Sequence, residues 1–340
     1  IDFKSDFIGY ACKKGLKPEA PNQDSFLICK AEGSYALYGV FDGHGRRGHD
    51  VSNFVKENLP KVLLADENLL TNPEEALCAA FDETHRLIEK ATDENRINAQ
   101  RSGTTASVVL HDYQRSKLYV AHVGDSRCVL GKQRTKDASN AWVAQDLTLD
   151  HKPTHPDEKA RIESRGGQVL FDGFNYRVYA AGKRYPGLNM SRAMGDLVGS
   201  NDAGISHTPD VAGLTLSVTT PPGTVYQTEN SIEEANDEEA IDFGSEETIP
   251  SKEEIAKKQK EVGGKEKEGK EGEQQDDSMK KLAMKSRSLS SVSSYDLDFS
   301  TDRILMLASD GIWEFISSQE AVEIVGSFNR DQAMQAAEVL

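Results

Sequence analysis

The sequence has no CxxC pair, no HExxH or other paired histidines, and no apolar run near the ~20 residues of a membrane-spanning helix. Its four cysteines, Cys12, Cys29, Cys78 and Cys128, lie far apart. They read as reduced cysteines of an intracellular protein, cytoplasmic or nuclear, mostly core fillers, which argues against a disulfide scaffold and a thiolate zinc site. Basic charge is also short. Forty Lys and Arg against 56 Asp and Glu leave a net −16, the wrong sign for a nucleic-acid-binding face. The first residue is Ile1 rather than Met, which reads as a fragment or processed form with any upstream targeting signal out of view.

One stretch lacks almost everything a core needs. From Glu229 to Asp277 there are 18 Asp and Glu against 7 Lys, and Phe243 is the one aromatic. Such a composition cannot bury enough apolar surface to offset the entropy of ordering. Residues 219–300 are therefore expected to form a disordered acidic insertion, ending in a basic, serine-rich piece from Lys280 to Ser291. Closure entropy grows only logarithmically with length, so a fold tolerates such a loop. About 258 residues remain, 1–218 and 301–340, enough for one sizeable domain and expected to behave as a monomer.

Within that domain, short β-branched runs predict strands at Ala36–Phe41, Ala106–Leu110, Leu118–Val123, Val169–Phe171, Val211–Val218 and Ile304–Leu307. Val51–Leu59 predicts a helix that stops at Pro60. A second helix is expected to open with Asn72 as N-cap, Pro73 in the first turn and Glu75 completing a capping box. Its apolar stripe is Leu77, Ala80, Phe81, Thr84, Leu87 and Ile88. Glu158–Arg165, Gln319–Val325 and Gln332–Leu340 also carry helical pattern. Strands in groups with helices against them favour α+β layers over strict βαβ alternation.

Three apolar strands end in an acid beside glycine: Val40-Phe41-Asp42-Gly43-His44-Gly45, Val123-Gly124-Asp125-Ser126-Arg127 and Leu307-Ala308-Ser309-Asp310-Gly311. A single Asp-Gly after a strand commonly marks only a turn. Brought together, three such carboxylates repel one another and call for a cation. A hard oxygen donor set points to Mg²⁺ or Mn²⁺ rather than Zn²⁺.

The motifs occur in a telling order. Asn22-Gln23-Asp24, Phe41-Asp42-Gly43-His44-Gly45, Ser102-Gly103-Thr104-Thr105-Ala106 and Ala121-His122-Val123-Gly124-Asp125-Ser126-Arg127 come first. Leu149-Asp150-His151-Lys152-Pro153, Met190-Ser191-Arg192-Ala193-Met194-Gly195-Asp196 and Ser309-Asp310-Gly311-Ile312-Trp313-Glu314 follow. This series resembles the metal-dependent protein phosphatases, the type 2C serine/threonine family, over nearly the whole chain outside the insertion. The resemblance implies an α/β/β/α sandwich, two stacked antiparallel sheets flanked by helices, with metals in the cleft at one end.

By that likeness Asp42 bridges two Mg²⁺ or Mn²⁺ ions, the Gly43 carbonyl binds one and Asp310 the other. Asp125, with Asp310 and Glu314, resembles a third, weaker metal site; Glu314 stands where many relatives have Asp. Asp24 resembles an acid that holds metal-bound water, and Gln23 stands where some members carry a metal-binding Glu. His44 resembles the general acid for the departing Ser or Thr oxygen of a phosphoprotein substrate. Many members clamp the phosphate with an Arg shortly before Asn22; here Lys17 is the candidate, with Lys13 and Lys14 as rivals, and a lysine gives up the two-point grip of a guanidinium. Ser102–Ala106 reads as structural. Residues 151–210 resemble a substrate-facing flap in which Arg192 is expected to pair with Asp196. A further family Asp is expected after a later strand, whereas Glu320, Glu323, Asp331 and Glu338 fall in helical stretches or the turn between them; the sequence as it stands is therefore expected to be C-terminally incomplete and poorly active.

Three other readings compete. A pseudophosphatase scaffold of the same fold would not need converging acids. An aspartyl-phosphate enzyme would need an Asp-x-Asp loop where Asp42-Gly43-His44 stands. A binding module would place its function in the insertion.

Overall fold

The computed structural model describes residues 3, 6–15, 21–133, 141–217, 295–298 and 302–340. These fall in one compact unit, residues 1–219 and 282–340; a second unit, 220–281, lies outside the described residues, as does almost all of the expected insertion.

The larger sheet runs β11 (Met194–Gly195), β3 (Ser102–Thr104), β2 (Tyr35–Gly45), β4 (Ala106–Asp112), β5 (Lys117–Val123), β12 (Asp210–Ser217), β13 (Tyr295–Asp298), with β1 (Asp24–Ala31) also on β2. Its pairs are antiparallel except β12 with β13, which is parallel. Of residues 219–300, Tyr295–Asp298 are the ones described, and they form that last strand. The second sheet runs β14 (Asp302–Ala308), β6 (Arg127–Gln133), β7 (Trp142–Asp146).

Alternation along the strands produces the layers, since successive side chains point to opposite faces. Val108, Leu110, Tyr119, Ala121 and Val123 bury against α1 (Gly48–Ala65) and α2 (Pro73–Asp93), on Val51, Val55, Leu59, Leu77, Phe81 and Ile88. Their neighbours Val109, Leu118 and Val120 meet Cys128 and Leu130 of the second sheet. On that sheet's far side Val129 and Met306 pack against Ala321 and Val322 of α6 (Ser318–Gly326) and against Trp313. The order is helix, sheet, sheet, helix, and the α+β reading stands. No helix among the described residues is long and apolar enough to cross a membrane.

Much of the interval 151–210 forms a smaller layer with its own core, while Met194–Gly195 and Asp210 belong to the larger sheet. Helix α3 (Pro156–Ser164), the sheet β10 (Pro186–Leu188), β9 (Tyr176–Ala180), β8 (Gly167–Phe171), and α4 (Leu197–Ala203) enclose Ile162, Val178, Ala180, Met190, Ala193, Ala203 and Ile205.

Two helix expectations change. Helix α1 runs through Pro60 to Ala65, because Leu59, Pro60 and Leu63 are all buried and packing outweighs the one backbone bond that proline cannot make. Asn72 sits at the N-cap of α2, but its amide donates to the Glu75 carboxylate (2.6 Å) rather than its oxygen accepting from the backbone. The capping box is found instead on α6, between Ser317 and Glu320.

Candidate metal centre

The acids converge because strand register brings their carriers together. Asp24 and Asp42 are direct partners across β1 and β2. Ala308 pairs with Arg127 across β14 and β6, so Asp310, two residues beyond, and Asp125, two residues before, leave the second sheet at the same edge. Asp310 opens a short helix, α5 (Asp310–Trp313), after Ser309, whose hydroxyl donates to Asp24 Oδ2 at 3.0 Å.

Hydroxyls of the Ser102–Ala106 segment tie the sheets at this edge. The Asp42 N–H donates to Thr105 Oγ1 (3.0 Å), and the Thr105 N–H donates to the Asp42 carbonyl (2.9 Å). Thr105 Oγ1 lies 2.7 Å from Ser126 Oγ, next to Asp125. Gly43 has no alternative: a Cβ there would sit 2.4 Å from the Gly48 carbonyl oxygen and 2.6 Å from that of Gln23. The Gln23 amide donates to the Gly45 carbonyl (2.8 Å), holding the same turn.

The electrostatics favour a cation. The Asp42 and Asp310 carboxyls lie close enough for each to bear on the other's ionisation. Burial, then the charges of Asp310 and Asp24, push the Asp42 carboxyl far above the usual range. Burial, then Asp125, push Asp310 up as well. Asp125 is 1% exposed; its Oδ2 pairs with the Lys152 ammonium, while its Oδ1 is buried without a partner among the described residues. Several carboxylates, partly desolvated and mutually repelling, with oxygen as the only donor atom, fit a hard divalent cation. Asp42 and Asp310 are the carboxylates most affected by their neighbours, with Asp24 and Asp125 beside them. Glu314 is exposed and close enough for its charge to bear on Asp310.

His44 lies two residues from Asp42, on the same face of β2. Its Nε2 is 2.5 Å from Asp196 Oδ2. Burial pulls its pKa down, but Asp196, Asp125 and Asp310 outweigh burial and raise it. The strand β3 makes this contact possible: His44 pairs with Gly103, and Gly103 pairs with Gly195. A Cβ on Gly103 would come within 2.2 Å of Asp196 Oδ2. Asp196 therefore belongs to His44, not to Arg192 as the sequence suggested. Arg192 instead grips Glu158 (2.6 Å) and Asp210 (2.7 Å).

Sequence spacing concealed a second cluster. His122, His151 and Asp210 bring ligand-type atoms within 4.8 Å of one another. Protein partners already engage them: His122 Nε2 donates to the Leu149 carbonyl (2.9 Å), the Gly124 N–H donates to His151 Nδ1 (3.1 Å), and His151 Nε2 donates to Asp210 (3.2 Å). The cluster braces the turn before Asp125.

Lys17 lies outside the described residues. Lys13 is engaged elsewhere, donating to the Glu338 carbonyl at 3.0 Å. Of the late acids, Glu320 caps α6, Glu323 accepts from Gln319, Asp331 lies in the turn Arg330–Gln332 and Glu338 in the helix Ala333–Val339.

The protein phosphatase 2C family model matches residues 15–220 and 273–340, and the chain belongs to that family. It is 34% identical over 232 residues to Probable protein phosphatase 2C 35 of Arabidopsis thaliana, covering 60% of this chain and 64% of that protein. It is 34% identical over 198 residues to Protein phosphatase 2C 1 of Paramecium tetraurelia, covering 54% and 59%. The alignments thus span about three fifths of these relatives' length. A serine-threonine phosphatase 2C from Toxoplasma gondii superposes with a TM-score of 0.49 at 23% identity, over 57% of this chain and 69% of that one.

Proposed function

We propose that the chain carries the catalytic machinery of a metal-dependent protein serine/threonine phosphatase, hydrolysing phosphoserine and phosphothreonine in protein substrates. The observation that carries this reading is the convergence of Asp42, Asp310, Asp24 and Asp125, whose partial burial and mutual repulsion a divalent cation would relieve. Two Mg²⁺ or Mn²⁺ ions, held by Asp42, the Gly43 carbonyl and Asp310, would supply Lewis-acid charge to the phosphate and an activated water; Asp125 with Glu314 would serve a weaker third ion.

The protein's own groups do the rest. Thr105 and Ser126 fix the strand ends so that the carboxylates need not reorganise during reaction. Asp24, fixed by Ser309, can orient water at the cluster. Asp196 engages His44 at Nε2 and favours the imidazolium, the protonation state a general acid needs. That proton is destined for the departing serine or threonine oxygen, a poor leaving group without it. Lys17 is the proposed phosphate contact.

Hydrolysis of p-nitrophenyl phosphate tests the reading. Activity should require millimolar Mg²⁺ or Mn²⁺, vanish with chelator, and fall by at least ~10³-fold in Asp42→Asn. Turnover that survives that substitution would place the active site elsewhere.

A further inference from the structure

We propose that Lys152 is a tethered cation that occupies the Asp125 side of the carboxylate cluster and holds an additional divalent ion off that acid. The proposal rests on the metal-centre reading above. Asp125 is almost fully buried, so its charge needs a counter-charge, and here the chain supplies one: the Lys152 ammonium pairs with Oδ2. Oδ1 remains buried and unpartnered among the described residues, a lone-pair donor aimed at no protein group.

The lysine is delivered by a braced turn. Arg127 grips Asp150 through two bonds, at 2.7 and 2.9 Å, and the Lys152 N–H donates to the Asp150 carbonyl at 2.8 Å. The His151 N–H donates to the Gly124 carbonyl (2.9 Å), the Gly124 N–H donates back to His151 Nδ1 (3.1 Å), and the Ser191 N–H and hydroxyl both donate to the His151 carbonyl (2.7 and 3.0 Å). Gly124 precedes Asp125 and His151 precedes Lys152, so one doubly bonded junction positions both members of the ion pair. The Lys152 side chain is 35% exposed, which leaves its head reachable from solvent and able to yield. An ion that draws on Asp125 Oδ2 must displace this ammonium, and one that takes Oδ1 alone is repelled by it, so either approach is weakened.

Calorimetric titration of Mn²⁺ into the full chain separates the outcomes. Lys152→Met and, as a second neutral variant, Lys152→Gln should bind one more Mn²⁺ than the wild type, or bind the weakest Mn²⁺ roughly tenfold more tightly. Lys152→Arg should titrate like the wild type, and adding Asp125→Asn to Lys152→Met should remove the gain. Unchanged number and affinity in a cooperatively folded neutral variant overturns the proposal while leaving the metal centre standing. No Mn²⁺ uptake by the wild type overturns both.

Discussion

Replacing Glu158 with glutamine should unfasten the flap segment by an amount set by its burial and its partners. Its carboxylate is 7% exposed and accepts from Arg192, Arg161 and Ser191. Burial pushes its pKa up, but these partners outweigh burial and bring it from 4.5 down to about 2. At ~1.4 kcal/mol per pH unit of separation, the gap is worth about 3 kcal/mol of folding stability at neutral pH. The folded pKa is depressed, so this contribution is present above pH 4.5 and is lost as pH falls towards 2. About half of it should remain near pH 3. Arg192 keeps Asp210, so the variant should still fold, but the half-buried guanidinium loses its bidentate partner. Urea unfolding of wild type and Glu158→Gln at pH 7 and pH 3 measures the difference. A gap below ~1 kcal/mol at pH 7, or one that does not narrow on acidification, would refute the reasoning.

Gly103→Ala inserts a methyl 2.2 Å from Asp196 Oδ2, and the backbone oxygen of Met194 at 2.8 Å blocks an easy retreat. It should cost about 1–3 kcal/mol and separate Asp196 from His44, visible as a changed His44 imidazole signal by NMR; an unperturbed ring would contradict the contact. His44→Ala should slow dephosphorylation of phosphoserine peptides far more than hydrolysis of aryl phosphates, because a phenolate departs without a proton. Equal losses on both substrates would remove His44 from the general-acid role.

What was legible in the sequence was local. Runs such as Ala106–Leu110 and Leu118–Val123 carry their strand character in β-branched residues, and the acid-glycine endings stand out because each closes such a run. What escaped notice depends on contacts between distant residues. Asp196 meets His44 across 152 positions, through a glycine whose only signal is the absence of a side chain. Lys152 reads as an ordinary turn lysine until His151 and Gly124 lock together. Strands β6 and β7 are too polar to announce themselves, since residues such as Lys132, Gln133 and Gln145 interrupt the apolar pattern. Pro60 misled because a local breaker was outvoted by the burial of Leu59 and Leu63 on either side.

The central claim, that the convergent carboxylates are a metal centre, is tested most directly by electron paramagnetic resonance of Mn²⁺, whose free aquo-ion signal disappears on binding. Substoichiometric Mn²⁺ added to the wild-type chain should lose that signal, whereas Asp42→Asn with an unchanged circular dichroism spectrum should leave it largely intact. Equal uptake by the two proteins, or a free-ion signal that persists with the wild type, would contradict the account.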